Sequence, residues 1–229
     1  MKKLAPNTAA TTAAPKSLEE RIRDFKASRR HIETPAAAER ALEAAAHRLA
    51  ARRQRDAMPG KLETRRLVLR APIRGDVPDI VRLADNPNIH AVLSRLPSPY
   101  TRADAIAFVE MFAQRDDERP YAVTLDGQFI GVAGFTYFSS GKPPELGYWL
   151  GEPHWGKGYM SEAVKALLDA AFATRKYPLI RARALASNAA SLNVLEKAGF
   201  KRVREGTDES GTLKGQPIVF LELEQPRWM

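Results

Sequence analysis

One stretch of this 229-residue chain restricts its fold more than any other. Glu145-Leu-Gly-Tyr-Trp-Leu150 reads as a strand and Gly151-Glu-Pro-His154 as a turn. Trp155-Gly-Lys-Gly-Tyr-Met160 then opens a long helix running to about Lys176. A strand feeding straight into a helix belongs to a layered α/β arrangement. Gly156 and Gly158 let a ligand approach the backbone closely, and the unpaired N–H groups of a first helical turn form an anion site helped by the helix dipole. Lys157 adds positive charge between them. The chemistry suits a pyrophosphate, although glycines spaced this way also serve as plain tight connections.

The rest of the main domain is legible around that stretch. LETRRLVLRA (62–71) alternates as a strand, and Asp76 to Asn86 reads as a helix followed by a Pro-rich loop to Pro99. Thr101 caps a helix carrying Ala105, Phe108, Val109 and Phe112. Two strands flank Asp126-Gly127, a common hairpin signal. LIRARAL (179–185) is a short β run. Asn188 caps a helix that Gly199 stops, and the last strands fit Arg202–Glu205 and Pro217–Leu223. The order is β-α-α-β-β-β-α-β-α-β-β: mostly antiparallel strands continuing into one strand–helix–strand unit.

Residues 1–60 have another texture. The first 16 are Ala/Thr/Pro-rich and predict disorder; Ser17 with Glu20 fits a capping box for a helix to about His31. A second helix is predicted from Pro35 through Asp56, with a narrow Ala/Leu stripe, ended by Pro59-Gly60. This extension holds 13 Lys/Arg against seven Asp/Glu, a net +6 of the chain's +9. The domain boundaries expected are therefore 1–60, a basic helical extension, and 61–229, the main domain. Basic charge of this kind points to RNA or ribosome contact through residues 1–60, and the Ala-rich hairpin offers a surface for a homodimer.

Composition removes other classes. There is no cysteine, so disulfide frameworks, thiolate metal sites and a Cys nucleophile are excluded. The four histidines are scattered without ligand spacing, and no metal is expected. Apolar runs fall well short of the roughly 20 residues that span a bilayer. The opening MKKLAPNTAATTAAP lacks an apolar signal core, so the expected location is the cytoplasm.

Four signatures in order now carry a resemblance: LETRRLVLR with Asp76, LPSPYTRADA, ELGYWL with HWGKGYMSEA, and NAASLNVLEKAGF. Together, over roughly Leu62 to Leu223, they resemble the GNAT superfamily of acyl-CoA-dependent N-acetyltransferases, in the branch similar to bacterial ribosomal-protein N-acetyltransferases. The resemblance implies an α/β (α+β) fold: a mixed, mostly antiparallel sheet splayed at its middle and flanked by helices. It implies acetyl-CoA as co-substrate. Trp155, Gly156, Lys157, Gly158, Tyr159 and Met160 become the pyrophosphate loop, with Met160 a departure from the small residue usual there. The backbone near Trp149 and Leu150 would pair with the pantetheine arm, and Asn188 and Ser191 would sit beside it.

The implied reaction is direct attack of a neutral amine on the thioester. Glu145 is the candidate base, acting through water, with pairing to an arginine as its alternative role. Ser191 is the candidate hydrogen-bond donor to the departing sulfur. An α-amino group of pKa about 7.7–8.0 is roughly a tenth neutral at pH 7, a lysine amine about 0.04%. A weakly specified base therefore favours a protein N-terminus as acceptor. A polyamine or antibiotic amine is the alternative within the enzyme class. A catalytically silent acyl-CoA-binding or RNA-associated module is the alternative outside it. The loop from Asn86 to Pro99 is the expected seat of acceptor selectivity.

Overall fold

The computed structural model describes Glu20, residues 35–138 and residues 142–225. Of the helix expected from Ser17 to His31, all but Glu20 lies outside the described residues. The chain divides into two compact units, Met1–Ala45 and Ala46–Met229. Helix α1 (Pro35–Arg55) contributes to both. Over residues 36–45 it is exposed apart from half-buried Ala37, and Leu42 stands 73% exposed.

The second unit reaches back beyond Gly60. Ala51 and Met58 are buried in its main core. The Tyr177 hydroxyl donates to the Gln54 carbonyl (2.5 Å), and the Tyr121 hydroxyl and Arg119 Nη2 both donate to the Pro59 carbonyl (2.5 and 2.8 Å). The physical reason is plain: once α1 ends, its last turn still carries apolar side chains and unpaired carbonyls that need partners.

Eight strands form one sheet: β1 (Lys61–Glu63), β2 (Leu67–Arg70), β3 (Glu118–Leu125), β4 (Gln128–Thr136), β5 (Glu145–Leu150), β6 (Leu179–Leu185), β7 (Lys201–Thr207) and β8 (Pro217–Glu224). Their spatial order is β1-β2-β3-β4-β5-β6-β8-β7. Every neighbouring pair is antiparallel except β5 and β6, which run parallel and pair only at Glu145↔Arg181 and Leu146↔Ala182. Beyond Leu146 the two strands part. The mixed, mostly antiparallel sheet splayed at its middle is the fold expected from the sequence.

One local expectation needs correction. The run 62–71 is two strands, not one, because Thr64 turns the chain. Its hydroxyl accepts from the Leu67 N–H (2.9 Å) and donates to Glu162 Oε1 (2.6 Å), folding β1 back on β2. The helix expected over 76–86 is also shorter: α2 covers Val77–Ala84. Asn86 then caps a separate turn, α3 (Pro87–His90), by accepting from the Asn88 N–H at 2.8 Å.

Two cores sandwich the sheet. On one face α5 (Tyr159–Ala173) buries Met160, Ala163, Val164, Leu167, Leu168, Ala171 and Phe172, with α6 (Ala189–Lys197) adding Leu192 and Leu195. Such i, i+3, i+4 spacing makes one continuous stripe, each large side chain giving roughly 1.5–3 kcal/mol on full burial. On the other face α2 and α4 (Arg102–Glu110) cover Ala122, Phe129 and Val132. A bidentate pair, half-buried Arg70 with buried Asp76 (2.7 and 2.8 Å), ties β2 to the start of α2. Among the described residues no helix is long and apolar enough to cross a membrane.

Candidate active site

The parting of β5 and β6 opens a cleft of about 1460 Å³. Strand alternation determines what lines it. The Arg181 N–H donates to the Pro144 carbonyl at 2.9 Å, so the backbone groups of Leu146, Tyr148 and Leu150 face β6, and those of Trp149 face β4. After Leu146 there is no β6 partner for them. The Leu150 carbonyl is taken by Trp155 Nε1 at 2.6 Å. What Trp149 offers the cleft is its indole, which packs 5.8 Å from the Phe129 ring on the face covered by α2 and α4.

At the end of β5 the chain turns into α5 through the glycine loop. Gly156 and Gly158 have φ of +72° and +76°, where only glycine is unstrained, and Gly158 is the N-cap of α5. The first N–H groups of that helix have no intrahelical partner. Met160 does not crowd them: its side chain is 6% exposed and lies in the main core. Trp155, Gly156, Gly158, Tyr159 and Met160 all line the cleft, whereas Lys157 turns outward and donates from Nζ to the Pro153 carbonyl at 2.9 Å.

A cation that the sequence reading missed stands at the loop instead. Arg66 Nη1 donates to the Lys157 carbonyl (3.0 Å), its guanidinium lies 4.5 Å over the Tyr159 ring, and Nε pairs with Glu162 Oε2 (2.7 Å). Burial works against the charge on Glu162. Hydrogen bonds from Thr64 and Arg66 outweigh it and hold the carboxyl below its usual range. No periodicity marks Arg66, because it sits in the turn between β1 and β2. His154 lines the cleft nearby; burial first, then Lys157 and Arg82, push its pKa down.

Opposite the loop, α6 begins. Asn188 Oδ1 accepts from the Ser191 N–H at 3.0 Å, the cap expected from sequence. Ser191 Oγ lies 2.9 Å from the Tyr148 hydroxyl, which also donates to the Ser191 carbonyl (3.1 Å). Burial pushes Tyr148 up to about 12 despite the Ser191 hydrogen bond, so it stays a donor at neutral pH.

Glu145 lines the cleft, paired with Arg183 Nε at 3.1 Å, both side chains about a quarter exposed. A second carboxylate there was not anticipated. Glu118, at the start of β3, is 6% exposed and accepts from the Thr136 hydroxyl at 3.0 Å. Burial raises its pKa to about 7; Asp117 adds to the rise, while Thr136, Arg115 and Arg95 oppose it. In sequence it is hidden inside a run of five charged residues, Arg115 to Arg119.

Three loops meet at the cleft: the one after β5, the one over residues 86–99 and the one between β7 and β8. Glu152 accepts from Asn86 Nδ2 (2.6 Å) and Asn88 Nδ2 (2.9 Å), tying the loop after β5 to the loop over residues 86–99. The Ser94 carbonyl accepts from the Thr212 N–H at 3.1 Å, and a Cβ on Gly211 would stand 2.2 Å from that oxygen. Among the described residues no group of His, Asp or Glu side chains is gathered to hold a metal ion.

Comparison with known proteins follows this geometry. Residues 66–201 match the family model of the acetyltransferase (GNAT) domain, more than half of the chain. The "Probable N-acetyltransferase YjcK" of Bacillus subtilis (strain 168) is 34% identical over 93 residues, 39% of this chain and 51% of that protein. The chain spans about half the length of the curated relatives it matches. Among solved structures, the RimL ribosomal L7/L12 alpha-N-protein acetyltransferase in complex with coenzyme A superposes with a TM-score of 0.64 at 19% identity, over 72% of this chain and 97% of that one. The spermidine N-acetyltransferase from Vibrio cholerae, in complex with CoA and spermine, gives 0.61 at 21% identity, over 71% and 97%. With the parted strands, the glycine loop at a helix start and a matched domain model all in one place, this chain belongs to the GNAT acetyltransferase family.

Proposed function

We propose that this chain transfers the acetyl group of acetyl-CoA directly to a primary amine, that of a protein N-terminus. The observation that carries the reading is the free backbone edge of β5 beside the N-terminus of α5. An extended pantetheine arm can hydrogen-bond to the edge at Tyr148 and at the Leu150 N–H as an added strand would. Gly156, Gly158 and the first N–H groups of α5 suit the pyrophosphate, with Arg66 beside them as the cation. In this arrangement a backbone N–H of the edge polarises the thioester carbonyl. Ser191, held by Asn188 and touching Tyr148, hydrogen-bonds the departing sulfur.

The cleft's charge bears on the acceptor. Its lining carries Asp104, Glu118, Glu145 and Asp208 against Arg95, Arg115, Arg183 and Lys197. Four acids facing four bases make a poor trap for a polycation, which binds where carboxylates dominate. Ile89, Leu96, Phe108 and Phe112 add apolar wall, which suits the first side chains of a peptide. The exposed arginines of α1, Arg40, Arg48, Arg52 and Arg53, support a salt-sensitive contact with RNA or the ribosome as the way such an acceptor is met.

The test is acetyl-CoA turnover, followed by thiol release, with peptides bearing a free N-terminus, the same peptides blocked at the N-terminus, and spermidine. Acetylation of the free peptides alone is the expected result. Faster turnover of spermidine would move the acceptor to the polyamines. Coenzyme binding without turnover of any amine would remove the enzyme reading.

A further inference from the structure

The face of the sheet under α2 and α4 carries a row of polar side chains that the family resemblance does not explain. Register places Glu118 opposite Thr136, and Thr136 opposite Glu145. The three therefore stand side by side on one face across β3, β4 and β5. The next row on that face is Pro120, Gly134 and Gly147, and the one after it Ala122, Val132 and Trp149. Gly134 and Gly147 raise no side chain; a Cβ on Gly147 would meet nothing within 4 Å, whereas one on Gly134 would run into the Arg119 carbonyl at 2.2 Å. A trough is therefore open over Gly147 and closed at Gly134, with the carboxylate row on one bank and Trp149 on the other. It opens into the cleft beside the free edge of β5. A glycine in a strand interior with open space above it marks close approach by a ligand.

The two carboxylates on the bank differ in what they are committed to. Glu145 is taken up by an ion pair with Arg183 Nε at 3.1 Å. Glu118 forms no ion pair among the described residues, is almost wholly buried and has one neutral donor, Thr136. We propose that the acceptor amine is seated in the trough over Gly147 and gives its proton, through water, to Glu118.

This rests on the acyl-transfer reading and adds the base to it. The ammonium form loses one proton to the Glu118 carboxylate, and the neutral nitrogen attacks the thioester carbon. The new C–N bond forms and the C–S bond breaks. The sulfur leaves as thiolate and takes the nitrogen's second proton by way of the Ser191 hydroxyl. Glu118 returns its proton to water. A base that titrates near neutrality is matched to an α-amino group of pKa about 7.7–8.0, since proton transfer between them is close to balanced. The charges around Glu118 are Asp117 on its own segment, Arg115 before it and Arg95 from the loop over residues 86–99. Asp104 of α4 and the Glu145–Arg183 pair share the cleft.

The experiment uses the full chain, acetyl-CoA and a hexapeptide with a free N-terminal serine. It follows kcat against pH through neutrality, with acetyl-CoA affinity measured by calorimetry. For the wild type, kcat should rise through an apparent pKa near 7. E118Q should lower kcat about 100-fold and erase that limb while acetyl-CoA affinity is kept. T136V, which keeps the carboxylate but removes the hydrogen bond holding its pKa down, should move the limb to higher pH. E118Q turning over as fast as wild type overturns the assignment, and so does loss of the limb in E145Q. T136V decides the case in which E118Q does not fold: a limb that stays in place overturns it. A wild type inert toward the peptide and toward spermidine overturns the acyl-transfer reading, and Glu118's role with it.

Discussion

The Tyr148 hydroxyl lies 2.9 Å from Ser191 Oγ, joining β5 to α6 across the place where the sheet has lost its own hydrogen bonds. The contact keeps the Ser191 hydroxyl at the cleft wall, where the proposed transfer releases the sulfur. Losing Tyr148 should therefore act through Ser191. Tyr148→Phe should lower kcat by about 2–10-fold, the worth of one hydrogen bond of ~0.5–1.5 kcal/mol. Ser191→Ala should lower kcat more than acetyl-CoA affinity. The double variant should resemble Ser191→Ala alone, a coupling that steady-state kinetics on the four proteins would show. Additive losses would mean that the two hydroxyls act separately.

Gly158→Glu should reduce acetyl-CoA affinity by at least about 100-fold, or ~2.7 kcal/mol. It forces a side chain onto a residue with φ of +76° and puts a negative charge at the N-terminus of α5. Calorimetry gives the affinity directly, and an unchanged value would separate this loop from the coenzyme.

Arg66→Ala should weaken acetyl-CoA binding and also loosen the start of α5, because one side chain holds the Lys157 carbonyl, the Tyr159 ring and Glu162. With the pair partly exposed, the stability loss should be modest, about 1 kcal/mol. Arg66→Lys should restore charge without the fork and recover only part of the affinity. Full recovery by lysine would show that charge alone is used.

Glu118 should make the protein less stable as pH rises. Its folded pKa, about 7, exceeds its usual 4.5, so the folded state binds the proton more tightly. Stability linked to that proton is fully present below pH 4.5, falls through the window to about 7 and is lost above it. Relative to wild type, E118Q should therefore gain stability across this window, up to ~3 kcal/mol at pH 8. Denaturant midpoints at several pH values check it; a constant difference would mean that Glu118 does not titrate there.

Removing residues 1–45 should leave the thermal midpoint and acetyl-CoA affinity unchanged, since the compact unit begins at Ala46. Removing 1–60 takes Ala51 and Met58 from the core and the Gln54 and Pro59 carbonyls from their tyrosines, and should cost roughly 2–5 kcal/mol. Equal midpoints for the two truncations would show that α1's last turn is only draped on the sheet.

What could be read from the chain beforehand was what lies in sequence order. The strand–glycine–helix run, the Asn188 cap and the Asp126-Gly127 hairpin are local signals, and each stands where expected. Arg66 and Glu118 were invisible for a shared reason: their roles come from partners far along the chain, Glu162 for one and Thr136 for the other. A charged residue in a turn or at a strand's first position has no periodicity to betray it. Met160 departs from the small residue the resemblance implies in the loop, and the helix turns its side chain into the core.

The meeting of Gly211 and Thr212 with Ser94 bears on how this scaffold changes its clientele. The Thr212 N–H and hydroxyl both donate to the Ser94 carbonyl (3.1 and 3.3 Å), and at Gly211 there is no room for a side chain against it. An insertion in either loop must lift the other or break the Thr212 N–H bond. A loop grafted from a relative with another acceptor therefore needs its opposite number grafted too.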